Sequence, residues 1–117
     1  MQAAGVRYRH RVRFEVRQPQ PDDGSGNVIP EAWTAVVTVW AGWRPKFGRE
    51  QIVAGALEST AQGVLTVLAF STTMAIRPDH RVVFVAGPYR GRTFGVHSVT
   101  PTIDGREIEF LLVEGDS

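Results

Sequence analysis

Tyr8-Arg9-His10-Arg11-Val12-Arg13-Phe14-Glu15-Val16-Arg17 alternates almost without fault between residues that seek a core and residues that seek water. Successive side chains on a strand point to opposite faces, so a period of two marks a half-buried β-strand. One face would carry Tyr8, His10, Val12, Phe14 and Val16 inward. The other would display Arg9, Arg11, Arg13 and Arg17, with Glu15 the one acid among them. A helix of the same residues would scatter both sets around its circumference and bury neither, which is why this stretch decides the fold class.

Downstream the period of two returns several times. Residues 18–32 gather prolines, glycines and Asp22-Asp23, a loop composition. Residues 33–43 resume β-type chemistry through Val36, Val37, Thr38, Val39 and Trp40, with Pro45 and Gly48 expected to stop the strand. Residues 45–62 read as a long mobile loop. Ile52, Val53, Ala56 and Leu57 leave room there for a helical turn or two, against the low helical propensity of Gly55. Residues 64–76 look extended, with Arg77-Pro78-Asp79 as a turn. Residues 81–86 form a short strand, and Gly87-Pro88-Tyr89-Arg90-Gly91 a tight turn. Residues 93–100 and 107–113 pair across Asp104-Gly105, a favoured hairpin dipeptide. The expectation is an all-β fold: one domain over residues 1–117, a small antiparallel β-barrel or sandwich of five to six strands.

The chain has 117 residues, 43% hydrophobic and 21% charged, an ordinary globular balance. It has no cysteine, which excludes disulfides, thiolate metal sites and cysteine nucleophiles. The longest apolar stretches, near residues 36–43 and 64–70, fall short of the ~20 residues of a membrane-spanning helix. The first residues run straight into arginines with no signal-peptide apolar region, so synthesis in the cytoplasm and no membrane association are expected. Net charge is +1 but unevenly spread. Residues 1–17 hold five arginines against one glutamate, net +4. Residues 104–117 hold five acids against Arg106, net −4. Lys46 is the one lysine among thirteen basic residues, and arginine makes forked contacts to carboxylates and phosphates that lysine cannot.

Several phrases in this order resemble the phage head–tail joining family, also called head-closure or stopper proteins. They are the opening Ala4-Gly5-Val6-Arg7-Tyr8-Arg9-His10-Arg11-Val12, the polar loop of residues 22–27, Trp33, and the strand end Val39-Trp40-Ala41. Pro45-Lys46-Phe47-Gly48-Arg49-Glu50 follows, containing a Gly-Arg-Glu signature, then Arg81-Val82-Val83-Phe84, Thr93-Phe94-Gly95-Val96-His97-Ser98-Val99 and residues 109–114. The resemblance implies a virion neck protein without catalytic chemistry, in a bacteriophage or gene transfer agent, made in the cytoplasm of the host bacterium. It implies a homo-oligomeric ring of roughly six or twelve copies. That ring would lie between the portal or adaptor and the tail-terminator or tail protein. It would retain packaged double-stranded DNA through non-specific contact and offer the tail its docking surface. The loop bearing Lys46, Gly48, Arg49 and Glu50 would project into the channel. The alternatives are a small nucleic-acid-binding barrel of the OB or SH3-like type, and an adaptor or tail-terminator ring of the same neck.

Three readings of Arg9, Arg11, Arg13 and Arg17 stay open. Phosphates attract such a ladder without sequence preference. Glu107 and Glu109 would neutralise it from a neighbouring strand. The acidic segment of the next subunit would do so across an interface. Trp33, Trp40 and Trp43 read as core or barrel-rim residues, with Trp33 and Trp43 sharing strand parity and an exposed Trp40 suited to a ring interface. His10 falls on the apolar face. Asp79-His80 adjoins a turn, and two ligands in sequence make no metal site. His97 and Ser98, adjacent on a strand, would point to opposite faces and form no catalytic pair. Neither a catalytic residue, a metal nor a cofactor is expected.

Overall fold

The computed structural model describes residues 8–18, 32–46, 51–53, 56–58 and 61–115. Among these residues run, in order, eight strands and one short helix: β1 (His10–Gln18), β2 (Ala32–Lys46), β3 (Gln51–Val53), β4 (Ala56–Glu58), β5 (Gln62–Leu68), α1 (Ser71–Met74), β6 (His80–Phe84), β7 (Thr93–Pro101) and β8 (Glu107–Glu114). Six of the strands close a barrel in the order β1-β2-β5-β8-β7-β6. Among the described residues, every strand pairing around the barrel is antiparallel. Closure pairs the backbone all round and removes the free edges that an open sheet would present.

The 15 residues of β2 make closure possible, because this strand serves two neighbours in turn. Its first part, Ala32 to Ala41, pairs with β1, and its last, Gly42 to Lys46, pairs with β5. Ala41 and Gly42, both buried, sit at the change of partner, where small residues let the strand bend. Pro45 does not stop the strand as expected. It pairs with Gly63 and the ladder runs on to Lys46 with Gln62, a position near a strand end where a missing N–H is tolerated. Gly63 is required there, since an added Cβ would lie 2.6 Å from the Arg44 carbonyl and 2.7 Å from the Trp43 ring.

The inner face follows the alternation of β1: Val12 and Phe14 are fully buried. They meet Leu65, Val67, Val82, Phe84, Phe94, Ile108, Phe110 and Leu112 in one core. Phe14 and Phe110 lie 5.0 Å apart, and Phe84 and Phe94 5.3 Å. Each such side chain contributes about 1.5–3 kcal/mol by leaving water. Trp43 extends this cluster, edge-on to Phe84, Tyr89 and Phe94 at 5.2–5.6 Å. His10 completes its rim against Phe84 and Tyr89. Burial, and then the charge of Arg9, hold His10 below its ordinary pKa.

Two segments differ from expectation. The loop after β2 contains a hairpin, β3 paired with β4 as a separate two-stranded sheet, where a helical turn was allowed for. Its two short runs are rich in the residues of either structure, and a short apolar run is ambiguous between them. The helix lies instead in residues 71–74, within the stretch read as extended. There the Thr73 hydroxyl, fully buried, donates to the Leu68 carbonyl at 2.8 Å and accepts from the Phe70 amide at 3.0 Å. A threonine that bonds nearby backbone in this way turns the chain out of the sheet.

Candidate functional site

The outer side of β1 and its neighbours is built around an acid. Glu15 is 6% exposed and accepts from Arg13 Nε and Arg81 Nε, both at 2.7 Å. Arg81 stands directly opposite it on β6. Burial alone would push the Glu15 carboxyl up, but the hydrogen bonds and charge of the two arginines outweigh it and hold the group below its usual range. The Arg81 guanidinium also lies 4.1 Å from the centre of the Trp33 ring, and that of Arg17 5.1 Å. Arg11 stacks on Trp40 at 5.1 Å. These cation–π contacts hold long side chains in place on an otherwise solvated face.

A bulge decides which tryptophan joins this face. Phe14 pairs with Val37 but Glu15 with Ala35, so Val36 is the extra residue. Beyond it the alternation of β2 reverses relative to simple counting. Trp33 and Trp43, expected on one face, therefore part company: Trp43 packs inside and Trp33 lies outside beside Arg17 and Arg81. Trp40 is 53% exposed. A second bulge lies at His97, between the pairs Val96–Leu112 and Ser98–Leu111, and both His97 and Ser98 are exposed.

Of the expected ladder, Arg9 is exposed just ahead of β1, Arg13 is paired to Glu15, and Arg11 and Arg17 rest on tryptophans. Glu107 and Glu109 do not neutralise it from a neighbouring strand, because β1 lies between β2 and β6. Glu109 instead faces Arg44 at 3.7 Å. Glu107 accepts a hydrogen bond from the Tyr8 hydroxyl, whose pKa is pushed up to about 12 by burial and by that carboxylate. Glu114 forks with Arg92 at 2.5 and 2.6 Å, and this holds Glu114 low and Arg92 high. Asp104 is held low by the Arg106 amide and the Thr102 hydroxyl. Lys46 is exposed at the end of β2, while Gly48, Arg49 and Glu50 lie outside the described residues.

The residues that sequence reasoning missed are Glu15, as an organiser, with Arg81 and Trp33. One signal was present: an acid interrupting a run of arginines on the same strand face. Large apolar side chains are also exposed away from this face, at Leu68, Phe70 and Met74 around α1 and at Ile103 on the β7–β8 turn. The Ala69 amide donates to the Arg106 carbonyl at 2.8 Å and holds this turn against the end of β5. Among the described residues no group of His, Asp or Glu is placed to hold a metal, and no helix is long and apolar enough to cross a membrane.

Solved structures share this fold, two of them over nearly the whole chain. The solution structure of protein SF1141 from Shigella flexneri 2a superposes with a TM-score of 0.66 at 18% identity, covering 100% of this chain and 99% of that one. A chain from the virion of a native gene transfer agent particle superposes with a TM-score of 0.63, also at 18% identity, covering 96% and 97%. No curated protein matches the sequence significantly. The model of one protein family matches residues 4–115, nearly the full length, and with that match the chain belongs to the phage head completion protein family.

Proposed function

We propose that this protein is a structural component of a virion neck, forming a ring between the portal or adaptor and the tail and closing the filled head. The family match over residues 4–115 carries this reading. The fold supports it in two ways. A closed barrel has no edge to extend, so it associates through side-chain faces, and this barrel has faces bearing fixed arginines and exposed aromatics. The β3–β4 hairpin stands apart as its own sheet, in the segment expected to reach a channel. A two-stranded sheet alone is marginal in water, which suits an element that settles only on assembly.

In this reading the ring keeps DNA in place by blocking the channel, and its contacts with DNA are to phosphate, indifferent to base sequence. The role is mechanical, with no chemical step. The free nucleic-acid-binding barrel loses ground because the run of arginines that favoured it is partly neutralised by Glu15 and partly held on tryptophans. The test replaces residues 47–60 by a short glycine-serine turn between Lys46 and Ala61, which keeps the β2–β5 ladder intact. Heads should form and fill, the shortened ring should attach, and filled particles should lose DNA on storage. Full retention would assign closure to another neck component.

A further inference from the structure

We infer that the outer face of β1, β2 and β6 docks onto the outer face of β8 of a second copy of this chain, head to tail around the ring. The inference rests on the ring reading above and names the surfaces that build it. In the barrel order, β1 and β8 are three strands apart by either route, so they occupy opposite sides of the barrel. A ring of like subunits needs two different patches on opposing sides, each complementary to the other.

The two patches match in sign and spacing. Arg11 and Arg13 are outer residues two apart on β1, and Glu107 and Glu109 are outer residues two apart on β8. Both pairs therefore repeat at about 6.6–6.8 Å along their strands. The cationic side is preorganised: Arg13 and Arg81 each give Nε to Glu15, which fixes both guanidiniums on the outer face. Trp40, 53% exposed beside Arg11, supplies an aromatic anchor. The acidic side remains able to accept. The Glu109 side chain is 39% exposed, and its 3.7 Å approach to Arg44 is too long for a hydrogen bond. Asp104 is exposed on the adjoining turn and held as a carboxylate.

The experiment uses the full chain and the variants Arg11→Glu, Glu109→Arg and Arg11→Glu/Glu109→Arg. Arg11 and Glu109 are chosen because neither touches Glu15, and thermal melts confirm that each variant folds. Association is read by sedimentation velocity in low and high salt, and incorporation by copies per purified particle. Each single reversal should weaken association by about tenfold or more, and the double reversal, complementary again, should recover most of it. Wild-type association should fall as salt rises. Singles that assemble like wild type, or a double no better than either single, would overturn the proposed faces and leave the ring standing. A wild-type chain that neither associates nor enters particles as several copies would overturn the ring reading itself. A variant with normal assembly but weakened binding to duplex DNA would assign the arginine face to DNA instead.

Discussion

The outer sides of β1 and β8 carry charges at the same spacing, yet they are held in different ways. On β1 one nearly buried carboxylate, Glu15, organises two arginines, and one of these also braces Trp33. On β8 each carboxylate has its own partner near the solvent: Tyr8 for Glu107, Arg44 for Glu109 and Arg92 for Glu114. The first is a coupled network in a low dielectric, where removing one member strands the others. The second is a set of independent surface contacts, each screened by water. Two stretches that look like mirror images in a charge count thus differ in what they contribute to the fold.

That contrast is sharpest in Arg81→Ala. The change leaves Glu15 buried with Arg13 alone and strips the closest cation from Trp33, so urea unfolding should show a loss of about 2–3 kcal/mol. A loss under about 0.5 kcal/mol would mean that Glu15 acts as an ordinary surface acid. Acid provides the next comparison. The Glu15 carboxyl is held below its unfolded value, so its stabilisation is complete at neutral pH. It is lost as pH falls through about 4.3, the unfolded value, and on through the folded one. Glu15→Gln should therefore flatten the acid limb of a stability–pH curve. Glu114→Gln should flatten it less, since Glu114 shifts in the same direction but is far more exposed.

Smaller effects belong to β8. Arg92→Ala removes a fork to Glu114 and a stack on Tyr89, both partly exposed, and should cost about 1 kcal/mol in the same unfolding measurement. Arg44→Ala should cost less than about 0.5 kcal/mol, because its contact with Glu109 is long and its side chain is 72% exposed. If Arg44→Ala matched Arg81→Ala, the two faces would be built alike and the contrast would fail.

How far the sequence leads can be followed along β1 and β2. The alternation of residues 10–17 places Val12 and Phe14 in the core because strand geometry alone assigns neighbours to opposite faces. The tight turns at Gly87, Gly91 and Gly105 are likewise local: all three have positive φ, which glycine adopts without strain. The β3–β4 hairpin was missed where short apolar runs satisfied more than one period, and α1 where the Thr73 hydroxyl bonds nearby backbone. Among the candidate residues, Trp40, read as a core or rim residue that would suit an interface if exposed, is exposed, and the grouping of Arg81, Trp33 and Glu15 was not foreseen.

By itself, then, the sequence determines the all-β class, the inner face of the first strand and the turns, because each rests on the conformational preferences of residues that are neighbours in the chain. Tertiary structure alone decides that Arg81 meets Glu15 across 66 residues, and that one extra residue at Val36 turns Trp33 outward while Trp43 stays in. The order of strands sets β1 and β8 on opposite sides of the barrel. These are long-range facts, fixed by which strands find each other and in what register, and a one-residue change of register exchanges the buried and exposed faces of everything beyond it.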